Sequence, residues 1–160
     1  MKNLIIVRHA KAEQDSTAAD KERKLTLEGV RGAARVAEHL MGKLPKKLHV
    51  FSSTASRTAG TANIFSITYP KGVEAEPMDA LYTFDEDRFE SIVRELPDSY
   101  ENVMLFGHND AITGFVNKFG NVPIDNVPTA GLVWIKFDTD SWQDIRKGTT
   151  EKIVFPRDLK

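Results

Sequence analysis

The sequence predicts a three-layer α/β protein, in which a mostly parallel central sheet carries helices on both faces and has an antiparallel edge near the C-terminus. Two observations carry this prediction. Short apolar runs alternate along the chain with stretches whose apolar residues recur at helical spacing, as successive βαβ units require. The last two apolar runs are joined by a polar connection without a helical pattern, which favours an antiparallel pair.

The first half of the chain supplies the opening strands and two helices. Residues 3 to 7 (NLIIV) form a continuous apolar run, typical of a central strand that is covered on both faces. Residues 48 to 53 (LHVFSS) predict a second strand, residues 55 to 65 a helix, and VEAEP a short extended segment. Thr26 can cap the helix that follows the first strand and ends at GKLPKK. The apolar face of that helix is predicted to consist of Val30, Ala33, Ala34, Ala37, Leu40 and Met41.

The second half supplies two more helices and the remaining strands. Asp85 or Asp87 can cap a helix, and residues 103 to 106 form a buried strand that precedes a helix ending at Gly120. Residues 132 to 137 and 152 to 155 predict the antiparallel pair at the sheet edge. The apolar faces of the two helices are predicted to consist of Phe89, Ile92, Val93 and Leu96 in one, and of Ile112, Phe115, Val116 and Phe119 in the other.

Composition limits the classes of function. The 160 residues are 41% hydrophobic and 28% charged, which predicts one globular domain over residues 1–160. Lysine plus arginine (22) nearly balance aspartate plus glutamate (23), so no net field favours binding to nucleic acid or to a membrane. The absence of cysteine excludes disulfides, thiolate zinc sites and thiol catalysis. The first apolar run is too short for a signal peptide or membrane helix, so a cytoplasmic protein is expected.

Unusual residues follow three of the predicted strands. Arg8 and His9 end the first strand, Arg57 follows the second strand within SSTASR, and His108 and Asn109 follow the fourth. Ligands of open α/β sheets bind beyond the carboxyl ends of the strands, beside helix N-termini that favour anions. The sequence therefore predicts that two arginines and two histidines meet at one rim of the sheet.

These residue types suit a phosphoryl group. A planar guanidinium can donate to phosphoryl oxygens in two directions, and it is always charged. A neutral imidazole can attack phosphorus while a second, protonated imidazole stabilises the oxygens. Neighbouring arginines lower the pKa of the attacking imidazole and keep it neutral. By contrast, His39 and His49 are interpreted as structural or solvated.

The motifs at these strand ends resemble one known family. RHAKAE follows the first strand, LTLEG opens the first helix, SSTASRT follows the second strand and GHN follows the fourth, with PTAG at residues 128 to 131. Together they resemble the histidine phosphatase superfamily, whose fold is phosphoglycerate mutase-like. Within it, RHAKAE and the short chain resemble the small SixA-like phosphohistidine phosphatase branch.

The resemblance implies that His9 is the nucleophile and forms a phosphohistidine intermediate. It implies that Arg8, Arg57 and His108 complete the phosphate pocket, that no metal or organic cofactor is used, and that the partner is a phosphorylated protein or small phosphorylated substrate. The chain departs from the family pattern at Ala10, where glycine is usual. It also departs where Asp110 stands in place of a frequent proline and puts a carboxylate near the rim. Further candidates for substrate binding are Lys11, Asn109 and Asp110.

A general acid is not singled out by the sequence. Phosphohistidine can be protonated on its distal ring nitrogen and leave as neutral imidazole, so an enzyme for this substrate can work without a strong acid. Alkoxide leaving groups, by contrast, need a general acid to donate a proton. The carboxylates near the predicted rim that could serve are Glu13, Asp85, Glu86 and Asp110.

Other functions remain open at the level of sequence. The same pocket could hydrolyse small phosphoesters, or bind phosphoproteins without turnover. A metal-dependent hydrolase could use His9, His108, Asp110 and Glu13 as ligands, although cationic Arg8 and Arg57 would disfavour a divalent ion. A phosphosugar mutase would share the chemistry, but the short chain lacks the insertions that such enzymes usually carry.

Overall fold

The computed structural model of the protein describes residues 1–14 and 17–159. Its strands are β1 (Lys2–Arg8), β2 (His49–Ser52), β3 (Ala75–Pro77), β4 (Asn102–Gly107), β5 (Leu132–Phe137) and β6 (Thr149–Val154). Its helices are α1 (Leu27–Leu40), α2 (Ser56–Ile64), α3 (Glu86–Arg94) and α4 (Ala111–Phe119). Short 3₁₀ helices cover Asp20–Glu22, Phe65–Thr68, Asp79–Leu81, Trp142–Asp144 and Pro156–Asp158. Within the described ranges, none of these helices is long and apolar enough to cross a membrane.

The strands form one sheet in the order β3-β2-β4-β1-β5-β6. The pairs β3/β2, β2/β4 and β4/β1 are parallel, whereas β1/β5 and β5/β6 are antiparallel. This confirms the predicted mixed sheet, and it shows that the change of direction begins at β5, which lies directly beside β1. Leu4, Ile5, Ile6 and Val7 of β1 are fully buried, as the continuous apolar run predicts for a central strand.

Helices cover both faces of the sheet. Alternate residues of β1 point to opposite faces: Ile5 and Val7 pack with α1 and α2, whereas Leu4 and Ile6 pack with α3 and α4. The predicted three-layer α/β arrangement is therefore confirmed.

The helix starts follow the capping residues of the sequence. Thr26 Oγ1 accepts a hydrogen bond from Gly29 N at 3.0 Å, and Asp85 Oδ2 accepts one from Arg88 N at 3.1 Å. The structure thus selects Asp85 over Asp87 as the cap of α3. By contrast, β6 starts at Thr149, before the apolar KIVF, because an edge strand can pair through polar residues that face solvent.

The buried face of α1 differs from the predicted apolar stripe. Val30 is 39% exposed and Met41 is 53% exposed, whereas Gly29, Gly32 and Val36 are buried. Glycine lets the first turn of α1 lie directly against the backbone of Lys11, which follows β1, so Gly29 is buried although it has no apolar side chain. The hydrophobicity of the side chains cannot predict this close approach of the Gly29 and Lys11 backbones.

We predict that Gly29→Ala destabilises the protein by about 1–3 kcal/mol, because overpacking at a close contact forces the backbone to move. A Cβ at this position would overlap the carbonyl oxygen of Lys11, which also accepts hydrogen bonds from Thr26 N and Thr26 Oγ1. The measurement is the free energy of unfolding in urea.

Gly32→Ala is the matched control on the same helix, because its Cβ would make only an ordinary contact of 3.6 Å with Pro156 Cβ. This substitution should be neutral, or stabilising by about 0.5–1 kcal/mol through helix propensity. Equal effects of the two substitutions would contradict the close approach of Gly29 to Lys11.

Candidate active site

The carboxyl ends of β1 and β4 and the start of α2 enclose a cavity of about 220 Å³. It lies where the sequence predicts the rim. Among the described residues that line it are six of the predicted site residues: Arg8, His9, Lys11, Arg57, His108 and Asn109. The cavity is also lined by residues that the sequence did not single out, chiefly Gln14, Asp20, Arg23, Phe84 and Thr129.

The end of β1 is held by backbone hydrogen bonds on two sides. Arg8 N donates to Gly131 O at 3.0 Å, and His9 N donates to Gly107 O at 3.1 Å. Ala130 N is 3.0 Å from the carbonyl oxygens of both Arg8 and His9. Ala130 takes the left-handed backbone conformation, with φ of 60°, to present its N–H here. The PTAG segment thus fixes the backbone of the two basic residues.

His9 lies near the floor of the cavity and is 9% exposed. Its Nδ1–H donates to Ala10 O at 2.7 Å, so the neutral ring has its lone pair on Nε2. Ala10 N in turn donates to Thr61 Oγ1 at 2.8 Å, and the Ala10 methyl group is fully buried in the core. Alanine therefore fits at this position, where the family usually has glycine.

The surroundings keep His9 neutral. Its pKa is lowered from 6.5 to about 4, chiefly by burial, with smaller contributions from the charges of Arg57 and Arg8, and the Ala10 carbonyl opposes the shift. The direction of this pKa shift agrees with the prediction from the sequence, but burial lowers the pKa of His9 more than the arginines do. At neutral pH the ring has the unprotonated nitrogen that a nucleophile needs.

Arg8 and Arg57 are tethered by part of their donors. Arg8 Nη1 donates to Val127 O at 3.0 Å. Arg57, only 1% exposed, donates from Nη1 to Asp20 O at 2.6 Å and from Nη2 to Asp20 Oδ2 at 3.0 Å. A guanidinium has five N–H donors, so each arginine keeps donors for a bound anion after its own position is fixed.

His108 is held by the segment that follows β2. Ser53 N donates to Phe106 O at 3.0 Å, which places the Ser53 hydroxyl 2.8 Å from His108 Nε2. Because Ala55 N donates to Ser53 Oγ at 3.3 Å, the hydroxyl hydrogen can point to Nε2, and a neutral His108 then carries its proton on Nδ1.

The pKa of His108 is lowered to about 3, first by burial and then by the positive charge that His9 carries when it is protonated. The ring is therefore neutral at neutral pH, rather than the imidazolium that the sequence suggested. A neutral ring with Nδ1–H still donates a hydrogen bond, and a bound dianion would raise the pKa of His108. The centroids of the His9 and His108 rings are 5.3 Å apart.

Three buried donors of the cavity have no hydrogen-bond partner among the described residues. They are Arg8 Nε, Arg57 Nε and His108 Nδ1. A buried donor without a partner is costly, so such groups mark a place where a ligand supplies the acceptors. Three of them on one small cavity beside the lone pair of His9 indicate a site for an anion with several oxygens.

Asp20 is the main residue that the sequence did not reveal. Its carboxylate accepts from Arg57, Arg23 and the hydroxyl of Tyr82, and these bonds hold its pKa at about 2, with the Tyr82 hydrogen bond as the largest cause. Asp20 lies in a stretch where charged residues are frequent, so neither spacing nor composition distinguishes it. Only the fold brings it to Arg57.

The three residues predicted near the substrate have different positions. Lys11 lines the cavity and forms an ion pair of 2.9 Å with Glu28. Asn109 lines the cavity too, but its side-chain amide donates to Asn126 Oδ1 and Val127 O. Asn109 therefore holds the loop whose Val127 carbonyl also accepts a hydrogen bond from Arg8. Asp110 is exposed at the start of α4 and does not line the cavity.

The carboxylates considered as general acids are not among the residues that line the cavity. Glu13 is exposed, Asp85 caps α3, and Glu86 lies over Gly114 of α4. Within residues 1–14 and 17–159, no group of three or more histidine and carboxylate side chains is arranged to hold a metal ion. The carboxylate that does line the cavity, Asp20, is committed to cations and has too low a pKa to act as a general acid.

We predict that the free energy of unfolding falls as the pH is lowered from 6.5 toward 4. Both His9 and His108 have folded-state pKa values below the usual 6.5, so the unfolded chain takes up protons in this window that the folded protein does not. Each histidine contributes a slope of about 1.4 kcal/mol per pH unit at most. Urea unfolding at pH 7 and pH 5 measures the effect.

Single substitutions of His9 or His108 by glutamine should each reduce this dependence, because one titrating group is removed. A wild-type unfolding free energy that stays constant between pH 6.5 and 4 would contradict the burial of neutral imidazoles.

The comparison with protein families identifies the chain. Residues 4–85, slightly more than half of it, match the histidine phosphatase superfamily (branch 1). No curated protein matches the chain.

Solved structures have the same fold over nearly the whole length. The protein histidine phosphatase SixA complexed with tungstate has a TM-score of 0.82 at 20% identity, with 99% of both chains covered. A protein assigned as the phosphohistidine phosphatase SixA of Nakamurella multipartitia has a TM-score of 0.80 at 24% identity, covering 97% of this chain and 96% of its own. A mycobacterial glucosyl-3-phosphoglycerate phosphatase has a TM-score of 0.71 at 16% identity, covering 95% of this chain and 98% of its own. The chain therefore belongs to branch 1 of the histidine phosphatase superfamily and has its phosphoglycerate mutase-like fold.

Proposed function

We propose that the protein is a metal-independent phosphatase that removes the phosphoryl group of phosphohistidine on a protein, through a covalent phosphohistidine on His9. The observation that carries the proposal is that three residues lining the same cavity as His9 each have a buried donor without a partner, namely Arg8 Nε, Arg57 Nε and His108 Nδ1. A phosphoryl group has oxygens for all three donors.

The first step is transfer of the phosphoryl group to His9. The Nε2 lone pair attacks phosphorus as the bond from phosphorus to the leaving nitrogen breaks, and the bonding electrons return to the leaving imidazole. Hydrogen bonds from the two arginines and His108 stabilise the three equatorial oxygens. Since Ala10 O already holds Nδ1–H, His9 does not need to reorient before it attacks.

In the second step water attacks the phosphorus of phosphorylated His9 and releases inorganic phosphate. The P–N bond breaks, and its electrons return to Nε2 of His9. The same donors serve in this step, because the phosphoryl oxygens occupy the same cavity before and after.

The absence of a carboxylic acid from the part of the cavity that the structure describes supports phosphohistidine as the substrate. Asp20 lines the cavity but is ionised, and Glu13, Asp85, Glu86 and Asp110 do not line it. A phosphohistidine that is protonated on its distal nitrogen leaves as neutral imidazole, whereas a serine alkoxide would need an acid. The likeness to SixA structures supports the same substrate class.

We predict that His9→Ala abolishes formation of the phosphoenzyme. Wild-type protein mixed with labelled phosphohistidine and quenched without acid should carry phosphate that is labile to acid and stable to alkali, as expected for a phosphorus–nitrogen bond. His39→Ala is the control, because His39 is exposed on α1. Label that persists on His9→Ala would contradict the role of His9 as nucleophile.

We predict that Asp20→Asn lowers kcat/KM about 10- to 100-fold, because small displacements of a positioned group cost this much. The amide keeps the shape of Asp20 but loses the charge that holds Arg57, which is the most buried of the arginines that line the cavity. The affinity for tungstate should fall in parallel.

Glu90→Gln is the matched control, since Glu90 also joins two cations, Arg94 and Lys118, but lies outside the cavity. Its kcat/KM should stay within twofold of wild type. An Asp20→Asn variant with unchanged kcat/KM and tungstate affinity would show that Arg57 is held without the charge of Asp20.

A further inference from the structure

One aromatic side chain stands at the mouth of the cavity. Phe84 is 51% exposed, although its ring also lies edge-on to His108, with centroids 5.3 Å apart. Apart from Ala12, it is the only apolar side chain among the described residues that line the cavity. The surrounding charges and hydrogen-bond donors serve the phosphoryl group, but an exposed phenyl ring has no role in binding an anion.

The backbone around Phe84 is well fixed. Thr83 N donates to Leu81 O, at the end of a 3₁₀ helix, and Asp85 N donates to Thr83 Oγ1. Asp85 then caps α3. The ring of Tyr82 packs edge-on against Phe84 at 5.7 Å. The backbone at Phe84 is therefore fixed by its two neighbours, and its ring packs against Tyr82 and His108, as a preformed binding surface requires.

The leaving group of the reaction must lie toward the open side of the cavity, where an exposed lining residue such as Phe84 can reach it. Attacking and leaving atoms are roughly in line in phosphoryl transfer, so the leaving group points away from His9. His9 is near the floor, at 9% exposure, and Phe84 is at the mouth, at 51%. The side of the phosphorus opposite His9 therefore faces the open part of the cavity, and the exposed ring of Phe84 belongs to the lining of this cavity.

We propose that Phe84 packs against the planar ring of the leaving group and selects phosphohistidine by its imidazole. This rests on the proposed function, and adds that the protein recognises the ring that carries the phosphoryl group as well as the phosphoryl group itself. Aromatic rings attract one another in offset or edge-to-face packing, and the contact would also cover the exposed phenyl surface. A serine side chain offers no ring for this contact.

The experiment compares two substrates that break the same type of bond. Phosphohistidine and phosphoramidate both transfer a phosphoryl group from nitrogen, but the second releases ammonia and has no ring. In Phe84→Ala, kcat/KM for phosphohistidine should fall about tenfold, while kcat/KM for phosphoramidate should fall less than twofold. Phe84→Tyr keeps the ring and should restore phosphohistidine turnover. Ile67→Ala, which removes a side chain that is 55% exposed elsewhere, is the surface control.

Two results would overturn the role of Phe84. An equal loss on both substrates would mean that Phe84 acts through His108 or the fold, and tungstate affinity would then fall too. No loss on either substrate would mean that the exposed ring does not touch the leaving group.

The outcome for Phe84 can be told apart from failure of the proposed function. If wild-type protein forms and hydrolyses phosphorylated His9 with both substrates but the ratio of their kcat/KM values is unchanged in Phe84→Ala, only the inference about Phe84 fails. If the wild-type protein forms no phosphoenzyme from phosphohistidine, the proposed function fails, and the inference about Phe84 fails with it.

Discussion

The position of β1 between a parallel and an antiparallel neighbour is the constraint on which the site depends. Its pairing with β4 places Arg8 opposite Gly107, so the next residues of both strands, His9 and His108, leave the sheet side by side. Its pairing with β5 brings the residues just before that strand, including Ala130, to the carbonyl groups of Arg8 and His9. A shift of one residue in the parallel register would turn the β1 side chains to the wrong faces and separate the two histidines.

The cavity concentrates positive charge and offers few negative groups in return. Arg8 and Arg57 are both largely withdrawn from water, and Asp20 is the carboxylate that holds Arg57. The two histidines avoid adding to this charge because burial keeps them neutral. The donors Arg8 Nε, Arg57 Nε and His108 Nδ1 are fixed before the substrate arrives, and they have no partner of their own. They therefore need little reorganisation to bind a phosphoryl group, and preorganised sites stabilise transition states in this way.

Two sides of the cavity have different tasks in this picture. In the function that we propose, the floor, with His9 and the guanidinium groups, would bind the phosphoryl group, which all substrates of such a phosphatase share. The mouth, where Phe84 is exposed, would meet the part of the substrate that differs from one phosphorylated molecule to another. Selectivity within the superfamily can then change at the mouth without disturbing the groups that carry out the chemistry.

The sequence by itself determined the alternation of strands and helices, the buried first strand, and the appearance of Arg8, His9, Arg57 and His108 at strand ends. These features are local, since hydrophobic periodicity and the residues after a strand can be read in a single segment. Tertiary structure alone decided that Asp20 holds Arg57, that Ser53 orients His108, and that Phe84 stands at the cavity mouth. None of the carboxylates considered as general acids, Glu13, Asp85, Glu86 and Asp110, lines the cavity, because which charged loop residue reaches a pocket depends on contacts between segments far apart in the chain.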